Sequence, residues 1–204
     1  SQFFRENYER WMSNLPMLMS GVTITRLEVY TTNRTNNTET LRNIVGFSDL
    51  GESKPYNSTN PNIQPIVANQ PVNNKSNGLF QKVTNDTEIR EADKTTFALD
   101  SRFNLRRGDD YDLLRGARKL TEREYKFQPE LGYISLLTPL RNDEILAVAV
   151  EYTLNGQRYK VGELTEDYQA RRDDEVLVLK LLKSSTIRNN TNHPMWNLMK
   201  IGRA

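Results

Sequence analysis

Apolar residues recur at two different spacings along the chain, and each spacing predicts a different kind of element. Near the start, Phe4, Tyr8 and Trp11 follow the spacing of a helix, which predicts one apolar helical face. Residues 193–199 suit a short helix with Pro194 at its first position, where the missing N–H is not needed. The pattern therefore predicts a short helix at each end of the chain.

Residues 21–31 are rich in β-branched side chains and predict a strand that contains an irregularity. Val22 and Ile24 share one parity, whereas Leu27 and Val29 share the other. One inserted residue between the two pairs would return all four side chains to the same face. The sequence therefore predicts a β-bulge in this strand.

Further strands are predicted where apolar residues alternate or run together between turn residues. They cover residues 41–50, 124–127, 133–136, 144–153, 157–164 and 176–182. The segment 144–153 is apolar almost throughout, which is typical of a strand buried on both faces. Asn155 and Gly156 follow it and predict a two-residue hairpin turn, because both residue types accept positive φ. Residues 176–182 also fit a helix, but their flanks favour a strand.

Two internal segments show helical spacing instead. Residues 79–101 carry it weakly. In the second segment, Leu113, Ala117 and Leu120 share one helical face, and Asp110 is placed to cap the helix. We therefore expect one helix before the central strands, over residues 110–120.

The periodicity disappears in residues 51–78, where proline and asparagine are interleaved, and this composition predicts a loop excursion over the surface. The elements together predict a single α+β domain over residues 1–204. Its strands are expected to be mostly antiparallel, in a sheet or sandwich, with short helices at both ends and one before the central strands.

Composition narrows the classes of function. Lys and Arg number 28 and Asp and Glu number 26, so the chain lacks the positive excess of a typical nucleic-acid-binding protein. The absence of cysteine excludes a thiol nucleophile, an iron–sulfur cluster and a cysteine zinc site. No apolar run approaches the roughly 20 residues of a membrane-spanning helix, and no signal-peptide pattern is present, so we expect a soluble piece.

Few titratable residues form a pattern with chemical meaning. His193 is the single histidine and lacks a second metal ligand nearby, which favours a capping or surface role. Asp109, Asp110 and Asp112 lack the spaced oxygen ligands of a calcium loop and are better explained by helix capping. The sequence therefore predicts no metal site and no cofactor.

A catalytic site is not predicted either. Glu151 and Glu163 lie on predicted paired strands and could form the carboxylate pair of a glycoside hydrolase, but charged residues are commonplace at strand ends. Residues 173–175 fit a solvated loop. Basic residues in 102–119 are mixed with acidic ones, which favours a salt-bridged surface over a phosphate-binding stripe, and no glycine-rich phosphate loop occurs.

Many stretches of the chain are similar to one known family. They are FFRENYERW at 3–11, LPMLMSG at 15–21, ITRLEVY at 24–30, TNR at 32–34, TLRNIV at 40–45, DLGE at 49–52, LGYISL at 131–136, DEILAVA at 143–149, EYT at 151–153, YKVGE at 159–163, KLLK at 180–183 and PMWNLM at 194–199. Together they resemble the SprA/Sov family of gliding-motility proteins in Bacteroidetes, which forms the outer-membrane translocon of the type IX secretion system. The likeness keeps the same order along nearly the whole chain and ends before residues 200–204.

The resemblance implies an excised domain, because members of this family are many times longer. It implies a part of a very large transmembrane barrel that exports folded cargo across the outer membrane. Residues 145–150 are apolar on both sides and do not alternate, so we expect a water-exposed domain attached to the barrel and not one of its membrane strands. The implied partners are the rest of the barrel, other type IX components and secreted cargo; the side of the membrane is left open.

The function expected on this basis is that of a non-catalytic structural or interaction domain of the translocon, supporting export and gliding. Residues 51–78 and the exposed part of 102–119 are the hypothesised contact surfaces. A second hypothesis is a stand-alone carbohydrate-binding or adhesive β-sandwich, in which Tyr56, Tyr111 and Tyr168 would stack on sugar rings. A hydrolase that uses the two glutamates is the third.

Overall fold

The computed structural model describes residues 2–13, 20–34, 41–66, 70–186 and 191–198. Its helices are α1 (Gln2–Met12), α2 (Leu79–Asn85), α3 (Thr95–Ser101), α4 (Thr165–Tyr168) and α5 (Pro194–Leu198), with a 3-10 turn at Glu88–Arg90. Its strands are β1 (Val22–Thr31), β2 (Arg42–Phe47), β3 (Tyr111–Lys119), β4 (Tyr125–Gln128), β5 (Tyr133–Leu136), β6 (Leu146–Leu154), β7 (Gln157–Val161) and β8 (Leu177–Lys183). The helices predicted at the two ends and within 79–101 are confirmed. Most of the matched stretch 15–21 and residues 200–204 lie outside the described residues.

Five strands close into a barrel. β1, β3, β2, β8 and β6 are hydrogen-bonded in that order, and β6 returns to pair with β1 along its whole length. β7 pairs with the last residues of β6, from Val150 to Leu154, and β4 and β5 form a separate hairpin. Among the described strands only β2 and β8 run parallel. The predicted α+β fold with mostly antiparallel strands is confirmed, but the strands form a closed barrel and not the two facing sheets of a sandwich.

The inside of the barrel is filled by side chains, most of which are small or aliphatic. One buried cluster draws on all of the barrel strands and consists of Tyr30, Ile44, Ala117, Ala147, Ala149, Leu177 and Leu179, with Leu164 and Tyr168 from the α4 region. The packing is tight at Gly46, where a Cβ would lie 3.0 Å from Cδ1 of Leu181. Leu146 and Val148 belong to a different buried cluster from Ala147 and Ala149, so β6 is buried on both faces as predicted.

Two local predictions are confirmed by the register of the strands. The pairing of β1 with β6 shifts between Ile24 and Arg26, which is the predicted bulge. Asn155 and Gly156, with φ of 50° and 80°, connect β6 to β7 in the predicted hairpin turn. The bulge gives β1 one continuous apolar face toward the outer layer of the protein.

The helix predicted over residues 110–120 is wrong, because residues 111–119 form strand β3. Leu113 pairs with Val45 and Leu114 pairs with Ile44 of β2. The helical spacing of the leucines is a local signal, and pairing with a neighbouring strand outweighs it. Asp110 therefore precedes a strand. The helix-capping role predicted for Asp109, Asp110 and Asp112 is wrong, because there is no helix at this position.

The described part of residues 51–78 contains no helix and no named strand, and asparagine side chains fix it to the barrel. The Asn74 side chain donates to O of Gly162 at 3.1 Å and accepts from N of Gly162 at 2.8 Å. Asn77 Nδ2 donates to the carbonyl oxygens of Asp49 and Glu52. Asn74 thus bonds to the backbone just after β7 and Asn77 to the backbone just after β2, which explains why a segment without periodicity is held in place.

Candidate functional site

His193 is buried, and both ring nitrogens are engaged. Nδ1 accepts from the backbone N of Met195 at 3.2 Å, so Nε2 carries the proton and donates to O of Asp109 at 3.0 Å. The ring thereby joins the start of α5 to the loop before β3. This is the capping role that the sequence favours over metal binding.

The aspartates near β3 accept hydrogen bonds from the segments that lie next to this strand. Asp112 is buried, and its Oδ2 accepts from Oγ of Ser184 at 3.1 Å and from N of Ser185 at 2.9 Å. Asp110 accepts from N of Arg106 at 2.8 Å and from the side chain of Asn57 at 2.9 Å. Both carboxylates are held by donors of the chain itself.

Glu151 and Glu163 have separate partners. Glu163 is buried and accepts two hydrogen bonds from the guanidinium of Arg90, at 2.6 and 2.7 Å. Glu151 accepts from Oγ1 of Thr25 at 3.2 Å and lies 4.0 Å from Nε of Arg158. Within the described part of the chain no contact joins the two carboxylates, so the structure does not place them as a catalytic pair.

The three tyrosines considered for sugar binding do not share a surface. Tyr56 is 40% exposed, but Tyr111 and Tyr168 are buried. The Tyr168 hydroxyl lies 2.7 Å from that of Tyr30, whose pKa is raised mainly by burial and by this hydrogen bond. A row of exposed rings is therefore not formed by these residues.

The basic residues of the 102–119 region form the predicted salt-bridged surface. Their ion pairs are Arg102 with Asp86 and Glu88, Arg107 with Asp112, Arg115 with Asp93, Arg118 with Glu124, and Lys119 with Glu28. Opposite charges are thus distributed along the whole segment, as expected for a solvated surface.

The structure contains an apolar cleft that the sequence did not predict. It has a volume of about 410 Å³ and lies between α1, the β4–β5 hairpin and the outer face of the barrel. The side chains that line it are mainly apolar and include Phe4, Tyr8, Leu27, Leu131, Val148 and Leu182. We refer to it as the hairpin cleft.

Helix α1 is held against the hairpin by a close contact at one end of the cleft. Gly132 has φ of 68°, and a Cβ there would lie 2.0 Å from Cδ1 of Phe4. The Phe4 ring in turn packs edge-on against Tyr152 of β6, with centroids 5.2 Å apart. Only glycine in the hairpin turn allows the helix to approach this closely.

Lys180 lies at the inner wall of the cleft, and its charge is neutralised. Its Nζ donates to the carbonyl oxygens of Ser48 and Leu50 and to Oε1 of Glu52, at 2.5, 3.3 and 2.6 Å. These bonds occupy its three N–H groups. Arg5 also lines the cleft, with a side chain that is 40% exposed and lies 3.9 Å from Glu9.

The edge of β5 that borders the cleft carries backbone groups that point away from β4. N of Leu137 donates to O of Glu124 at 3.0 Å, and bonded residues alternate along an antiparallel pair. Ser135 therefore bonds to β4, whereas Ile134 and Leu136 direct their N–H and C=O groups away from β4. These groups have no hydrogen-bond partner among the described residues.

The opposite edge of the hairpin has the same backbone pattern but different surroundings. Tyr125 and Phe127 lie across from Leu136 and Ile134 and direct their backbone groups away from β5. The groove on that side is more polar than the hairpin cleft, because its lining combines the apolar or aromatic residues Leu27, Leu120, Tyr125 and Phe127 with six charged residues, namely Arg26, Glu28, Arg118, Lys119, Glu122 and Glu124. The two edges therefore differ in the chemistry of the groove beside them.

No cluster of three or more metal-ligating side chains occurs among the residues that the structure describes. None of the described helices is long and apolar enough to cross a membrane. No protein-family model matches the sequence, and no curated protein matches it significantly.

Proposed function

We propose that this chain is a non-catalytic interaction domain of an outer-membrane translocon of the SprA/Sov type, where it supports protein export and gliding. The likeness of many ordered stretches over nearly the whole chain supports the translocon part of the proposal. The hairpin cleft is the single observation that carries the interaction part. The proposed location is a water-exposed domain of an outer-membrane protein.

The cleft supports a binding role because it combines an open apolar surface with a strand edge. Tyr133, which lines the cleft, is 41% exposed, and Leu137, which directly follows β5, is 57% exposed. Clustered apolar groups at a surface commonly mark an interaction site. The proposed partners are the remainder of the translocon barrel, other type IX components and secreted cargo.

The engagement of the candidate catalytic groups supports a non-catalytic role. Glu163 is neutralised by Arg90, and Asp112 is held by Ser184 and Ser185. His193 joins two segments of the chain through both ring nitrogens. Each of these side chains has a structural task in the fold.

Cell fractionation tests the proposed function. An antibody raised against residues 1–204 is used to probe soluble, inner-membrane and outer-membrane fractions of the native cells. We expect one very large band in the outer-membrane fraction, because a translocon of this type is many times longer than the chain. A soluble band near the 23.7 kDa of the chain itself would overturn the proposal and bring the carbohydrate-binding hypothesis forward.

A further inference from the structure

We propose that the hairpin cleft binds an extended polypeptide segment, which adds to the β5 edge as a third strand and places alternate apolar side chains in the cleft. The inference deepens the interaction role proposed above and rests on it, since it specifies the chemistry of the partner. The partner is a strand-forming peptide, and the mode of binding is addition of a strand to the edge of the hairpin.

The backbone of β5 supplies the first requirement for this mode. Ile134 and Leu136 direct N–H and C=O groups outward, and these groups are unpaired within the described part of the chain. Their spacing is that of alternate residues in a strand, about 6.8 Å. An added antiparallel strand presents donors and acceptors at the same interval, whereas an acyl chain or a sterol has none to offer.

The cleft supplies the second requirement, which is space for side chains beside that edge. Tyr133, Ile134 and Ser135 line the cleft together with Val148 and Leu182 of the barrel. Side chains of an added strand alternate between its two faces, so every second residue would point into the volume of about 410 Å³. We therefore expect the bound segment to carry apolar residues at alternate positions.

The charges around the cleft restrict the partner further. Lys180 is neutralised by Glu52 and two carbonyl oxygens, so the inner wall offers no charge to a ligand. The exposed Arg5 lies at the side of α1 and has Glu9 as a distant ion-pair partner at 3.9 Å. An acidic residue in the segment, placed outside the apolar positions, would complement Arg5.

The two edges of the hairpin provide a matched pair of variants. Ile134→Pro removes an outward N–H on the cleft side, and Phe127→Pro removes the equivalent N–H on the opposite edge. The two residues lie across from each other, and neither N–H bonds the partner strand, so neither proline removes a hydrogen bond within the hairpin. Only the first should impair binding in the cleft.

The experiment begins with selection of random peptides of about ten residues, displayed on phage, on the full immobilised chain. Selected peptides are synthesised with a fluorescent label, and their Kd values are measured by anisotropy. We expect apolar residues at alternate positions and a Kd that rises at least about tenfold with Ile134→Pro, but by no more than about threefold with Phe127→Pro. Circular dichroism establishes that each variant is folded.

A second pair of variants keeps the test decisive if either proline unfolds the hairpin. Leu182→Glu places a carboxylate in the cleft, whereas Ile66→Glu places one at a position that is already 63% exposed and lies outside the cleft. We expect only the first to abolish peptide binding. Equal effects within a pair, or a library that yields no binding peptide, would overturn the inference.

Amide exchange measured by NMR identifies the mode of binding. Saturating peptide should slow exchange at Ile134 and Leu136 and leave Ser135 unchanged, because Ser135 is already bonded to β4. A chain that dimerises through this edge without peptide, as judged by sedimentation, would instead make a second copy the occupant. Either that result or unchanged exchange at both amides overturns the peptide assignment, while the fractionation experiment still decides the proposed function.

Discussion

Arg90 and Glu163 form a buried two-point ion pair that fixes the 3-10 turn before α3 to the barrel. Nη1 and Nη2 of Arg90 donate to the two carboxylate oxygens at 2.6 and 2.7 Å, and the side chains are 7% and 4% exposed. N of Val178 donates to the same carboxylate at 2.8 Å. The pair thus connects the turn, the end of β7 and β8.

Removal of one partner of this pair is predicted to destabilise the fold strongly. Arg90→Met leaves the buried Glu163 carboxylate with only Arg171 as a counter-ion, at 4.0 Å, and loss of one partner of a buried pair costs about 3–5 kcal/mol. Urea denaturation at neutral pH measures the free energy of unfolding. The control is Arg102→Met, because Arg102 is 46% exposed in its ion pairs and should cost less than about 1 kcal/mol. Similar losses in both variants would contradict the structural role of the buried pair.

Amide exchange in the free protein is predicted to alternate along β5. Ser135 N–H bonds to β4, whereas the N–H groups of Ile134 and Leu136 have no partner among the described residues. We expect slow exchange at Ser135 and fast exchange at its two neighbours, as measured by NMR after transfer to D2O. Slow exchange at all three positions would mean that another part of the chain already covers the edge.

The contact between Gly132 and α1 predicts a large effect of a single methyl group. In Gly132→Ala the new Cβ would lie 2.0 Å from the Phe4 ring, so α1 must shift, in addition to the cost of about 1–2 kcal/mol for a left-handed alanine. Gly156→Ala is the matched control, since φ is also positive but no atom lies within 4 Å. Thermal unfolding should show a clearly larger loss for Gly132→Ala. Equal losses of thermal stability in the two variants would contradict the close contact between α1 and Gly132.

Glu28 is predicted to make part of the stability depend on pH. Burial raises its pKa, but hydrogen bonds from Thr165 and Lys119 lower it by more, so the net pKa lies below the usual value. Ionised Glu28 therefore adds to the free energy of unfolding at pH values above its unfolded pKa of about 4.3. This contribution is lost as the pH falls through the lower pKa of the folded state.

The variant Glu28→Gln tests this dependence. We expect it to lower the free energy of unfolding at pH near 7 and to flatten the decline of stability below about pH 4.5, as measured by urea denaturation across that range. Glu122→Gln, at an exposed position, should leave the curve unchanged. A decline of the same steepness in Glu28→Gln and the unsubstituted chain would contradict the assignment.

The elements with a strong local signal were predictable from the sequence. The parity change between Ile24 and Leu27 gave the bulge, and Asn155 with Gly156 gave the hairpin turn. Closure of the barrel was not predictable, because it depends on the long-range pairing of β1 with β6 and of β2 with β8. The same kind of pairing turned residues 110–120 from a predicted helix into strand β3.

The candidate site was harder to predict from the sequence than the fold. The hairpin cleft brings together α1, β5 and the outer face of the barrel, which lie far apart in the chain. Its one local signal is the presence of apolar and aromatic residues in a strand too short to bury them, such as Tyr133 and Ile134 of β5. The buried partners of Glu163 and His193 likewise come from distant segments, so spacing along the chain could not predict their roles.

A secretion assay tests most directly the proposal that this domain acts in export through the hairpin cleft. Leu182→Glu and Ile66→Glu are introduced separately into the chromosomal gene, and secreted type IX cargo is measured in the culture medium at equal levels of the parent protein. We predict loss of most secreted cargo with Leu182→Glu and normal secretion with Ile66→Glu. Normal secretion in both strains would contradict the claim.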